Sequence, residues 1–186
     1  MLKFILSCFY FFLPAYFTNM TPSLTAQLGL FNFLAKPLDF GGELWGRPIL
    51  GDHKTWRGLT LGPLLGILVV FLQRYLFSQF ALVREISFFD YQKINLLLFA
   101  LLITFGAVFG DLFFAFWKRR LNLNPGARFL PFDQINYVIG AAFFLTFFSE
   151  ITITIKVWIT LLILTFLLHV SATQIGFLLG LSRSKW

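Results

Sequence analysis

Two carboxylates and a knot of cations stand out in a chain otherwise poor in charge. Asp111 lies in Gly110-Asp111-Leu112-Phe113-Phe114-Ala115-Phe116-Trp117-Lys118-Arg119-Arg120, where helical spacing puts Asp111, Ala115 and Lys118 on one face. Asp133 follows in Pro131-Phe132-Asp133-Gln134, at the start of the next apolar segment. Carboxylate oxygens beside Lys118, Arg119, Arg120 and Arg128 are the surroundings that a Mg²⁺–phosphate site requires. Each acid also has a plainer reading. Asp111 suits a buried ion pair flanked by snorkelling cations, and Asp133 suits a helix N-terminus, where the macrodipole favours negative charge. The two together are more specific than either alone.

A third segment, Gly51-Asp52-His53-Lys54-Thr55-Trp56-Arg57-Gly58, carries phosphate-binding chemistry of another kind. Its terminal glycines permit close backbone approach, Lys54 and Arg57 can hold phosphate oxygens, and Thr55 offers a hydroxyl. It is not a Walker A loop, because the glycine spacing and the Gly-Lys-Thr order are absent. A positively charged flank of a membrane span is the alternative. His53 reads as a loop contact and His169 as an interior polar group hydrogen-bonded to a neighbouring helix; neither reads as a metal ligand. The single cysteine, Cys8, excludes an internal disulfide and a cysteine metal site built from this chain alone.

The elements that must position these residues are membrane elements. Of 186 residues 58% are hydrophobic and 20% aromatic, and the mean hydropathy of +0.80 exceeds what a water-soluble surface carries. The net charge of +7 does not point to nucleic acid, since the 15 Lys and Arg are split by apolar runs longer than a soluble module tolerates. Anionic lipid and an anionic substrate are the better partners. Apolar segments of roughly 20 residues, the length that crosses about 30 Å of hydrocarbon, fall at 2–19, 59–77, 94–116, 135–150 and 154–181. Runs such as Leu96 to Phe105 lack the alternation of a barrel strand, so the fold class is all-α, five transmembrane helices in one bundle and one domain, 1–186. The first segment lacks a small-x-small cleavage site and reads as a retained span rather than a signal peptide.

Five spans put the termini on opposite sides of the bilayer. One side collects Lys36, Arg47, Lys54, Arg57, Lys118, Arg119, Arg120, Arg128, Arg183 and Lys185; the other has Lys3, Arg74, Arg84, Lys93 and Lys156. The richer side is expected to be cytoplasmic. The long loop 20–58 contains its own apolar stretch, Leu24 to Leu34, opened by Thr21-Pro22 and closed before Pro37, which predicts a re-entrant or interfacial helix. Small residues recur at Gly58, Gly62 and Gly66, at Gly106 and Gly110, and at Gly176 and Gly180, a spacing that lets helix backbones approach closely in lipid.

Taken in order, Asp39-Phe40-Gly41, the segment Gly51 to Gly58, Gly110-Asp111-Leu112 to Lys118-Arg119-Arg120, Pro125-Gly126 and Asp133-Gln134 resemble the CDP-archaeol synthase family. That family is similar in turn to bacterial phosphatidate cytidylyltransferases. The resemblance runs over nearly the whole chain, from Leu13-Pro14-Ala15-Tyr16 onward. It implies a multi-pass enzyme of the plasma membrane with its active site facing the cytoplasm, in which CTP and Mg²⁺ are bound, and it leaves room for a homodimer. By that match Asp111 and Asp133 bind metal and, with Lys118, form the catalytic set, while Lys54, Thr55, Arg57, Gly58 and Arg119 contact the nucleotide or lipid phosphate. Two positions depart from the family pattern: Ala115 replaces a usual serine, and Asn136 replaces a common aspartate.

The chemistry implied is attack of a lipid phosphate oxygen on the α-phosphorus of CTP, with pyrophosphate leaving. Positioning and charge neutralisation supply most of the barrier reduction in such transfers, so no protein nucleophile is required. An ester-linked phosphatidate could replace the ether-linked substrate, because an apolar groove accepts either tail. A small lipid transporter or a non-catalytic scaffold is the reading from another class. Against a transporter, the charges gather at one face rather than at the midplane and no inverted repeat is visible.

Overall fold

The computed structural model of the chain describes residues 1–123, 127 and 129–178. Arg128, Pro125, Gly126, Gly180, Arg183 and Lys185, used in the sequence reading, lie outside the described residues. The helices are α1 (Leu2–Gln27), α2 (Trp56–Gln79), α3 (Ala81–Ile86), α4 (Leu96–Arg120), α5 (Phe132–Leu145) and α6 (Ile155–Leu178), with a two-residue hairpin, β1 (Glu43–Leu44) and β2 (Arg47–Pro48), between α1 and α2. Four of them, α1, α2, α4 and α6, are long and apolar enough to cross a membrane. The segment expected to be the fourth span is instead the 14-residue α5. At 1.5 Å per residue it covers about 21 Å, short of a bilayer core.

Helix α1 runs through Pro14 and Pro22. Pro14 has no N–H, so the Tyr10 carbonyl loses its helical donor. Gln73 of α2 supplies one: its Nε2 donates to Tyr10 O at 2.5 Å, and Tyr10 Oη donates back to Gln73 O at 3.2 Å. Close approach of the two backbones makes this reach possible, since a Cβ on Gly62 would sit 2.8 Å from Thr18 O. Tyr16 and Thr165 share a hydrogen bond of 2.8 Å that fastens α6 to α1.

Helices α4 and α5 meet main chain to main chain. A Cβ on Gly106 would lie 2.9 Å from Ala141 Cα, and one on Gly140 would lie 2.6 Å from Gly110 Cα. Only glycine permits that crossing, and it sets α5 against α4 directly beside Asp111.

The apolar stretch Leu24 to Leu34 is not a separate re-entrant helix. Its first residues complete α1, which Gly29 ends in the left-handed conformation (φ +64°), with Leu30 N–H donating to Thr25 O at 2.9 Å. Phe31 is also left-handed, so only one 3₁₀ turn, Asn32–Leu34, follows. The turn chemistry of Gly29 outweighs the apolar run.

The bundle has two distinct ends. At one, Lys3 pairs with Glu85 at 3.2 Å, Asn95 N–H donates to Glu150 at 2.6 Å, and Lys156 lies over the Phe4 ring. Phe11, Phe99 and Tyr91 are 1% exposed or less beneath them, and Phe89 packs edge-on to Phe99 and tilted against Tyr91. At the other end Arg120, the last residue of α4, donates to the carbonyls of Leu44, Arg47 and Pro48, and Arg47 donates to Arg120 O at 2.7 Å. The hairpin is thereby tied to the end of α4.

Candidate active site

The cationic loop reaches the α4 acid through a small set of backbone bonds. Asp39 is its hub: one carboxylate oxygen accepts from Leu50 N–H at 2.8 Å and Gly51 N–H at 3.1 Å, and the other accepts from Gly41 N–H. Burial pushes this carboxyl up, yet the three amides outweigh it and hold Asp39 below the usual carboxylate range. Leu38 N–H donates to Lys54 O and Trp56 N–H donates to Lys36 O, which closes the loop on itself. Thr55 then caps α2, its hydroxyl accepting from Gly58 N–H at 3.4 Å.

This frame delivers Lys54 onto Asp111, with Nζ 2.7 and 2.6 Å from the two carboxylate oxygens. Asn136 of α5 donates its amide to the same carboxylate at 3.2 Å. Lys118, one helical face along from Asp111, pairs instead with Asp133 at 2.7 Å, and Phe129 N–H donates to the same Asp133 oxygen at 2.9 Å. Both lysine–carboxylate pairs are partly sheltered, with side-chain exposures of 24 and 30% for the first and 11 and 32% for the second.

Two cavities flank the first pair. The smaller, about 370 Å³, is lined by Asp111, Ala115, Lys118, Arg119, Asp133 and Asn136, together with Lys54, Gly51, Gln134 and His169. The larger, about 520 Å³, runs between α1, α2 and α4 and is lined by Asn19, Ser23, Lys54, Thr55, Arg57, Gly58 and Asp111. His53, Lys54 and Asp111 face both, so the Lys54–Asp111 pair stands in the shared wall.

The expected site residues therefore converge on one end of the bundle and divide between two chambers. Asp111, Asp133, Lys118 and Arg119 gather in the smaller; Thr55, Arg57 and Gly58 belong to the larger; Lys54 serves both. Arg57 is 8% exposed and donates to Leu30 O at 3.1 Å and Asn32 Oδ1 at 3.3 Å. Arg119 donates to Leu123 O at 2.6 Å and packs against Gly51. Gly58 abuts Pro22 of α1, a packing role that leaves it on the cavity wall. His169 lines the smaller cavity, where sequence reasoning expected it bonded to a neighbouring helix. Asn19 and Ser23 of α1 were not singled out as site residues, and a lone polar residue near a span end gives little signal on its own.

A hard divalent cation would have few protein ligands here, on carboxylates that Lys54 and Lys118 already pair. Among the described residues no group of three or more His, Cys, Asp or Glu side chains gathers, so the protein offers two carboxylates and the Asn136 carboxamide rather than a closed cage. That is the ordinary pattern for Mg²⁺, which keeps water and substrate phosphates as its remaining ligands.

Comparison with known proteins agrees with the motif order. The profile of the CarS-like family, CDP-archaeol synthase, matches residues 1–186. A CDP-archaeol synthase of Thermococcus gammatolerans is 37% identical over 179 residues, 95% of this chain and 94% of the relative. One of Methanosarcina acetivorans is 35% identical over 184 residues, and one of Methanococcoides burtonii is 32% identical over 183 residues, each covering 94% of this chain and 99% of its own. A solved structure described as an intramembrane enzyme for archaeal membrane lipid biosynthesis superposes with a TM-score of 0.69 at 27% identity, covering 88% of this chain and 90% of its own.

Proposed function

Because this chain belongs to the CDP-archaeol synthase family, we propose that it is a membrane cytidylyltransferase. It transfers CMP from CTP to an archaeal lipid phosphate of the 2,3-bis-O-geranylgeranylglycerol 1-phosphate type, giving a CDP-archaeol-type lipid and pyrophosphate. The observation that carries this reading is the convergence of Asp111 and Asp133 on one cavity with Lys54, Lys118 and Arg119. The family of the relatives favours an ether-linked substrate over phosphatidate, and a site built of acids and cations at one end of the bundle favours an enzyme over a transporter.

In this reading the smaller cavity takes the CTP triphosphate and the larger takes the lipid headgroup. Asp111 and Asp133 would hold Mg²⁺, which when bound neutralises charge on the phosphate oxygens. Lys118 and Arg119 hold the β- and γ-phosphates, while Arg57 and Lys54 orient the lipid phosphate toward the shared wall. A lipid phosphate oxygen forms the new bond to the α-phosphorus, the bond from the α-phosphorus to the bridging oxygen breaks, and pyrophosphate leaves with that electron pair. Cations fixed before the reaction stabilise the charge that moves to the leaving group. Thr55 contributes by starting α2 where Lys54 and Arg57 flank it, and Gly58 by letting α2 approach Pro22.

The same reading makes residues 1–186 one domain with five crossings, α5 and the turn after it forming the short fourth. By the positive-inside rule the cavity end, which holds Lys36, Arg47, Lys54, Arg57, Lys118, Arg119 and Arg120, faces the cytoplasm from the plasma membrane. The test is purified protein in vesicles with labelled CTP, Mg²⁺ and either the diether phosphate or phosphatidate. A CDP-lipid forms with the diether, and Asp111→Asn loses it; no product with either lipid, or full activity in Asp111→Asn, overturns the reading.

A further inference from the structure

We propose that Phe40 and Trp45, on the hairpin between α1 and α2, are an interfacial anchor that seats in the headgroup layer of the leaflet where α4 ends. The turn itself carries the first argument. Leu44 pairs with Arg47 across a two-residue turn whose central residues, Trp45 (φ +54°) and Gly46 (φ +70°), are both left-handed. Such a turn prefers Asn-Gly, because a bulky side chain enters that region at a cost. Phe40 (φ +50°) repeats the exception beside Gly41 (φ +77°).

Neither aromatic side chain is buried within the chain in return. Trp45 is 80% exposed, the most exposed aromatic among the described residues, and Phe40 is 72% exposed. Local folding does not explain two strained aromatic residues that face outward, whereas a layer outside the chain does.

Position identifies that layer. Arg120 is bonded to three hairpin carbonyls and its guanidinium lies 5.6 Å over Trp45 and 5.2 Å over Phe116. The hairpin thus sits at the level where a helix long and apolar enough to span leaves the bilayer. Below it on α4, Phe113 and Trp117 are 45 and 48% exposed, so the last turns of the span carry outward aromatics as the hairpin does. Glu43 is the exposed carboxylate of the strands, while Asp39 turns its carboxylate onto its own backbone and Arg120 spends its guanidinium on the hairpin carbonyls, leaving Trp45 as the group that faces outward. The anchor also holds the segment that carries Lys54 to Asp111, because Asp39 ties the hairpin base to Leu50 and Gly51.

The test uses the full chain in phosphatidylcholine vesicles, comparing wild type with Trp45→Asn and subtracting to isolate Trp45 fluorescence from the other four tryptophans. Asparagine suits the turn better, so Trp45→Asn keeps or raises its melting temperature in detergent; Trp45→Phe provides the same subtraction with the aromatic ring kept. Lipids brominated near the headgroup are expected to quench the Trp45 signal about twofold while aqueous iodide leaves it nearly unchanged, as for an interfacial tryptophan. Strong quenching by iodide with none by bromine overturns the proposal. Shielding from both reagents that grows with the protein-to-lipid ratio also overturns it, in favour of a second copy covering the hairpin.

Discussion

Phe11, Phe99 and Tyr91 fill one end of the bundle, where the ion pair Lys3–Glu85 hangs outside with side chains 62 and 68% exposed. At the opposite end the pairs Lys54–Asp111 and Lys118–Asp133 are sheltered, yet they border two cavities instead of a packed core. The filled end relies on dispersion and apolar burial, and its charges contribute little. The hollow end keeps charges out of water and must pair them, because an unpaired sheltered charge is costly. A phosphate entering there finds cations already in place. On the proposed reading, stability and chemistry are thus drawn from different ends of the same four long helices.

Substitutions can separate the two contributions. The largest effect belongs to the hollow end: Asp133→Asn is expected to cut CDP-lipid formation by about 100-fold or more, and to lower the melting temperature as well, because the sheltered Lys118 loses its partner. Radiolabelled product formation and a thermal scan on the same preparation check both halves. Next is Gln73→Leu between the ends, which strips Tyr10 O of its substitute donor. It is expected to cost about 1 kcal/mol, at the low end because it also removes the buried Gln73 Oε1, which has no partner among the described residues. Activity per folded molecule should stay at the wild-type level; a loss of activity without loss of stability would contradict the division. Smallest is Lys3→Ala, expected to change stability by less than about 1 kcal/mol and to leave turnover untouched.

Much of this arrangement was legible from local pattern. Four of the five expected spans, the shared face of Asp111, Ala115 and Lys118, and the common end of the acids and cations follow from hydropathy and helical spacing. Partner choice was not. Asp111 takes Lys54 from the preceding loop, and Lys118 takes Asp133 from the following helix, because the glycine-to-glycine crossing of α4 and α5 brings Asn136 and Asp133 alongside. No periodicity encodes a contact across that many residues. The Leu24 to Leu34 stretch misled because one left-handed glycine outweighs eleven residues of apolar pattern. The hairpin went unread since Trp45-Gly46 lacks the asparagine or aspartate that marks such turns. Nor does any local pattern mark Gln73 as the residue that repairs the gap at Pro14, since its partner Tyr10 lies on another helix.

The contact of α4 with α5 through Gly106, Gly110 and Gly140 has a consequence for how this protein can vary. Where helices touch through side chains, each lipid-facing change nudges rotamers and, through them, the separation of whatever the helices carry. Here covalent main chain meets covalent main chain one residue from Asp111, so the gauge between the acids is indifferent to the oily exterior. Phe105, Phe109, Phe113 and Phe143, exposed on the outer faces of α4 and α5, are free to drift with the thickness and tail chemistry of the surrounding membrane while the helix crossing beside Asp111 keeps its dimensions.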